Sequence, residues 1–155
     1  MSYTMENTTS TQPIATQQMY IDPKNPKALP FNEKGTRKWS NGLFSCFDDI
    51  GTCCTACWLP CVTYAQNRSR LNYIQANGAR HPTGGEMFNA DFGVFTLIHI
   101  CTGCGFLLEM MTRKRIREHY RIEGSGCGDC VASCCCLPCV MTQDSREIEA
   151  EEKNL

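Results

Sequence analysis

Thirteen of the 155 residues are cysteine, and ten of these fall in two blocks whose spacing suits metal ligation. In the first, Asp48 and Asp49 precede Cys53, Cys54, Cys57 and Cys61. On a helix, Cys53, Cys57 and Cys61 recur at four-residue intervals and Cys54 lies three before Cys57, so the thiols share one stripe. The second block repeats the theme with Cys127, Cys130 and Cys134 at intervals of three and four, accompanied by Asp129, Cys135 and Cys139. Zinc is held tetrahedrally by thiolates at ~2.3 Å, so two such stripes facing each other could assemble a Zn²⁺ site of four thiolates. Two other readings stay open: thiols acting as small hydrophobes between packed helices, and acylation of Cys134, Cys135 or Cys136 at a membrane surface. Residues 1–20 show no basic segment followed by an apolar one, so no cleaved export signal is expected and reduced thiols rank above a disulfide framework. No organic cofactor is expected.

Binding and conduction ask for different donors. A thiolate site holding zinc by ~10–16 kcal/mol is too tight for an ion that must leave again quickly. Conduction calls for weaker oxygen sites such as carboxylate rings. Asp48 and Asp49 are therefore the candidate mouth of an ion path, with His99 and Glu109 as further candidates because ionisable groups in lipid usually face a pore or a partner. His99 could equally bond a neighbouring helix, and Glu109 could pair with Arg113 one turn on. Asp129 either completes a thiolate and carboxylate site or caps the helix after it. A nucleophilic enzyme is not supported, because Cys101 and His99 come without an orienting group or oxyanion donors.

These residues need helices, and helices in lipid. Ile50 to Ala65 is uncharged for 16 residues, and Pro60 predicts a kink within it. At ~1.5 Å per residue this segment, taken as about 50–66, is short for a ~30 Å bilayer core. Phe92 to Met111 is a 20-residue stretch with only His99 and Glu109 readily ionised, the stronger candidate span. Its Cys101, Gly103, Cys104 and Gly105 suit close helix approach. Arg113, Lys114, Arg115 and Arg117 follow at once and place that end in the cytosol. With the lysines and arginines before residue 39, both termini are predicted cytosolic. Residues 1–38, rich in Thr, Gln, Asn and Pro, read as a disordered or extended tail, with Tyr20, Ile21, Leu29 and Phe31 available for docking. The glutamates of 145–155 read as a solvated acidic tail, its final part 150–155 lying outside the domain. Both cysteine blocks end in Leu-Pro-Cys-Val, a weak internal echo. A net charge of −1 gives no pull toward nucleic acid.

The order Trp39, Gly42-Leu43, Cys46, Asp48-Asp49, Cys53-Cys54, Cys57, Pro60-Cys61, then Arg113, Arg117, Tyr120, Gly128-Asp129-Cys130, Cys135-Cys136, Pro138-Cys139, Gln143 and Arg146-Glu147-Ile148 resembles the Cys-rich placenta-specific-8 domain family over about 39–149. That family includes plant cadmium resistance proteins and cell-number regulators. The resemblance implies a small, mainly α membrane protein with two hydrophobic segments, frequently self-associating, linked in several members to zinc and cadmium efflux or tolerance. In others it implies growth control or calcium influx. Leu59 and Leu137 stand where the family often has the first cysteine of Cys-Pro-Cys. The expectation is divalent-metal transport across the plasma membrane through a homo-oligomeric pore, since two spans cannot enclose a water path alone. The alternative is a membrane-tethered zinc-binding scaffold or regulator of growth or calcium signalling.

Overall fold

The computed structural model describes residues 22–155. A 3-10 turn over Leu43–Asp48 leads into α1 (Ile50–Trp58), α2 (Pro60–Asn77), α3 (Ala90–Thr102), α4 (Gly105–Tyr120), α5 (Gly126–Cys135) and α6 (Leu137–Glu152). The chain is mainly helical as expected. Among the described residues there is no strand, only an isolated parallel bridge between Arg37 and Ile122.

Each longer helix follows a shorter one across a break of one or two residues. Leu59 leaves the helical region at φ −132°, ψ 62°, and its N–H closes α1 on the Thr55 carbonyl at 2.7 Å. Pro60 then opens α2, where its missing N–H leaves no bond unmade. It was expected to kink one continuous helix; instead it starts another. Cys136 makes the corresponding break, with Pro138 in the first turn of α6. Between α3 and α4, Gly103 takes the left-handed conformation at φ 70° and its N–H caps α3 on the His99 carbonyl.

The stretch Phe92 to Met111 is therefore two helix segments and not one span. α3 has 13 residues, about 20 Å of helix at ~1.5 Å per residue. No helix among the described residues is long and apolar enough to cross a membrane. The segment 50–66 is likewise divided between α1 and α2.

The side-chain register sets the direction of the long helices. On α2, Asn67 donates to the Met141 carbonyl and Arg70 to Ser145 Oγ, while Leu71 and Ile74 cluster with Ile148. On α4, Arg113 meets Asp144 and Tyr120 meets Glu151. Numbers rise together in both series, so α2, α4 and α6 point the same way. Their N-terminal ends and the three breaks lie at one end of the molecule, with an apolar cluster of Ala56, Tyr64, Phe95 and Met141 beside them. A second cluster at the other end joins Leu71, Ile74, Ile116, Tyr120, Ile122 and Ile148, with Trp39 against it.

That second end is an ion-paired core, which corrects the reading of 145–155 as solvated. Glu147, Glu151 and Glu152 are buried because α6 runs on to Glu152 and arginines converge on it from other elements. Arg37 Nη2 donates to Glu147 at 2.7 Å with both side chains essentially inaccessible. Arg70 pairs with Glu152 at 2.5 Å, and Tyr120 Oη donates to Glu151 at 2.7 Å. Arg113 donates to Asp144 Oδ1 and to Gln143 Oε1, each at 2.6 Å, and its guanidinium lies 4.0 Å from the Trp39 ring centroid. Part of the basic cluster read as a topology signal is thus consumed by internal pairing. The segment 22–38, expected as tail, docks through buried Arg37, whose backbone N–H and C=O bond Arg121 and Glu123. Tyr20 and Ile21 lie outside the described residues; Leu29 and Phe31 sit in the docked segment, Phe31 half exposed.

Candidate functional site

Several thiols and exposed apolar side chains, among them Cys54, Cys57, Trp58, Ile100 and Cys101, lie close in sequence to the helix breaks at one end of the bundle. α1 begins where Asp49 caps it, its Oδ1 accepting from Thr52 N at 3.1 Å. Cys53, Cys54 and Cys57 then ride on α1, and because the helix stops at Trp58 the stripe stops with it. Cys61 belongs to α2 and packs, half buried, against the Tyr64 and Phe95 cluster. On α5, Cys127, Cys130, Cys134 and Cys135 are exposed or partly exposed.

The two stripes do not face each other. α1 and α5 each pack on α6 and make no contact between themselves. Among the described residues no group of three or more His, Cys, Asp or Glu side chains is placed to hold a metal ion. Cys139 is tied to Cys136 by a disulfide, with Cα atoms 5.4 Å apart. The sulfur of buried Cys46 lies 3.6 Å from that of Cys139. Partial burial, and then the adjacent Cys46 thiol, raise the pKa of Cys53. Three sulfurs, of Cys46, Cys136 and Cys139, therefore meet where the 3-10 turn joins the start of α6, with Cys53 of α1 neighbouring Cys46.

Asp129 is buried in ion pairs with arginines and does not cap α5. Arg117 holds it at 2.6 and 2.8 Å, Arg113 reaches it at 3.3 Å, and Ser125 caps α5 instead by accepting from Gly128 N. The ionisable residues read as an ion path are dispersed. Asp48 is 66% exposed in its side chain and makes a loose 3.4 Å contact with Arg146. His99 stacks on Phe95 at 5.5 Å between centroids and packs against Gly105, where an added Cβ would lie 2.6 Å from Nδ1. That contact explains the small residue at 105: it is an intrachain approach of α3 to α4.

Glu109 is fully buried, and it does not pair with Arg113, which turns to α6. Neither of its carboxyl oxygens has a conventional donor, and Asp144 Oδ2 also lacks one. A proton shared between one Glu109 oxygen and Asp144 Oδ2 accounts for two of the three atoms. Burial, then the neighbouring Asp144, push Glu109 well above the usual carboxylate range, so the neutral acid donates to Asp144. Burial also pushes Asp144 up, against the pull of Arg113, which favours its ionised form.

The sequence reading left Cys46 and Cys136 out of the candidate metal ligands. The signal for Cys136 was present as Cys136-Leu137-Pro138-Cys139, a C-x-x-C at a helix start. Cys46 stands alone in sequence, and only packing joins it to the others.

The model of the PLAC8 family matches residues 39–147. Cell number regulator 9 of Zea mays is 34% identical over 113 residues, covering 73% of this chain and 59% of that protein. Cell number regulator 7 of Zea mays is 33% identical over 127 residues, 81% of this chain and 65% of its own length. Protein PLANT CADMIUM RESISTANCE 2 of Arabidopsis thaliana is 31% identical over 112 residues, 72% of this chain and 67% of that protein. The match thus spans less than two thirds of the two maize relatives. No solved structure matches.

Proposed function

The chain belongs to the PLAC8 family, and on that premise we propose that it serves heavy-metal tolerance at a membrane, handling zinc or cadmium through thiols at the apolar end of its bundle. Relatives named for cadmium resistance support the metal. The observation that carries the membrane is the concentration of exposed apolar side chains on the 3-10 turn, α1, α3 and the start of α4. Trp58 is 83% exposed and Ile100 77%, with Phe44, Phe47, Leu97 and Met111 also open. Apolar surface of this extent marks a docking or lipid face. Helices too short to span, with aromatic residues among them, suit insertion into one leaflet. Liposome flotation of the purified chain tests this: recovery with the vesicles is expected, and a protein that stays in the aqueous fraction overturns it. Cadmium tolerance of cells expressing the chain tests the metal: tolerance no better than that of cells lacking it removes that role.

A second reading, movement of the ion across the membrane by several copies, is favoured by one placement. Asp48 projects outward beside exposed Phe44, Phe47 and Ile50, so copies arranged about an axis would present a ring of carboxylates. Asparagine at both Asp48 and Asp49 removes the charge while keeping the side-chain oxygen that caps α1. Zinc uptake into proteoliposomes should then fall by an order of magnitude or more; unchanged uptake takes both carboxylates out of any path.

A further inference from the structure

We propose that Cys46, Cys53, Cys136 and Cys139 constitute a redox-gated tetrathiolate site for one divalent cation of the zinc and cadmium class, shut as the Cys136–Cys139 disulfide and opened by its reduction. The four come from three elements: Cys46 from the 3-10 turn, Cys53 from α1, and the C-x-x-C pair from the α5–α6 break. A tetrahedral shell with metal–sulfur bonds of ~2.3 Å has sulfur–sulfur edges of about 3.8 Å. The Cys46 to Cys139 separation of 3.6 Å already matches such an edge. Cys53, in the first turn of the helix that follows the 3-10 turn, neighbours Cys46 and is the nearest further thiol to complete the shell. Reduction lets Cys136 and Cys139 part by the small distance that the remaining edge requires.

The surroundings suit a dianionic centre. Cys136 is the residue preceding α6 and Cys139 lies in its first turn, where the helix dipole favours negative charge. Arg146 donates to the carbonyl of Ser45, next to Cys46, at 2.6 Å. Crowded thiols repel as thiolates, and a dication removes that repulsion. Sulfur donors select zinc-like or softer cations over magnesium or calcium.

The chemistry balances with a small thiol of the glutathione class as reductant. Two such thiols reduce the Cys136–Cys139 bond, giving two cysteine thiols and one small-molecule disulfide. The cation then binds four sulfurs and displaces their protons. Reoxidation by a small-molecule disulfide reforms the Cys136–Cys139 bond and releases the metal, so a fall in reducing power would discharge the site.

The choice of zinc and cadmium as probes rests on the metal-handling reading; the site itself rests on sulfur geometry and does not require a membrane. The full chain, reduced without oxygen, is titrated with cadmium while thiolate-to-metal charge-transfer absorption is followed, and is then alkylated and mapped by mass spectrometry. One tight equivalent is expected in the reduced protein and at least a tenfold weaker affinity after oxidation. Cys46, Cys53, Cys136 and Cys139 should become protected from alkylation, while exposed Cys54, Cys57 and Cys101 stay reactive. Cys46→Ser should lose the tight equivalent and Cys54→Ser should keep it. Equal binding by oxidised and reduced protein, or equal alkylation of the four with and without cadmium, overturns the site, and the alkylation comparison stands even where Cys46→Ser fails to fold. Tight cadmium binding without liposome flotation would leave this site standing and remove the membrane reading; the reverse result would do the opposite.

Discussion

At the C-terminal end of the three long helices, four acidic side chains of α6 meet their partners inside the protein: Asp144 with Arg113, Glu147 with Arg37, Glu151 with Tyr120 and His119, Glu152 with Arg70. At the N-terminal end, Trp58, Ile100, Cys54, Cys57 and Cys101 point outward. The contrast inverts the usual arrangement, with charge enclosed at one pole and apolar surface open at the other. Buried charges are costly unless paired and hydrogen-bonded, so the enclosed pole is intolerant of losing one partner. The open pole adds little to folding in water, because its apolar area remains exposed, and its energy becomes available only when something covers it.

The comparison breaks most visibly at Arg113. Arg113→Ala leaves Asp144 buried without its cation and empties the face of Trp39, so the protein should lose about 3–5 kcal/mol, read by chemical denaturation. A loss no greater than that of a surface lysine such as Lys114 would show that the enclosed pairs do not organise the fold.

The open pole should answer differently. Trp58→Ser with Ile100→Ser is expected to shift unfolding by no more than about 0.5 kcal/mol, as exposed positions do. Each anchor is nevertheless worth about 1.5–3 kcal/mol when fully buried in lipid, so the pair should weaken vesicle binding at least tenfold. Equal vesicle binding by the variant would place the lipid face elsewhere.

Glu109 sharpens the boundary between the poles. Its carboxyl holds a proton more tightly when folded than when unfolded. The stability it contributes is therefore complete below the unfolded value of ~4.3 and is lost as pH rises toward the raised folded value. Glu109→Gln keeps a donor for Asp144 and removes the titration. It should flatten the decline in stability with rising pH and stabilise the protein at neutral pH. Urea denaturation across the acid-to-neutral range checks this, and an unaltered slope would mean that Glu109 is not the neutral partner. Asp48→Asn should have the smallest effect, within about 0.5 kcal/mol, since its contact with Arg146 is long and exposed.

Local chemistry along the chain determined the helices and several of their limits. Uncharged runs marked the helical segments, whereas Asp49 as the cap of α1 and Pro60 and Pro138 at helix starts follow rules of adjacent residues that were not applied, Pro60 having been read as a kink. The family pattern was legible, being an order of residue types. Tertiary structure alone decided which side chains meet. A run of 20 apolar residues does not reveal that Gly103 divides it, because a left-handed glycine and a flexible one have the same letter. Glu147 and Glu152 look solvated in sequence because the arginines that enclose them lie 110 and 82 positions away. Cys46 joins Cys139 across 93 residues for the same reason. Spacing along a helix fixes which thiols share a stripe, whereas whether two stripes face each other depends on how α1 and α5 pack against α6, and that depends on contacts made throughout the chain.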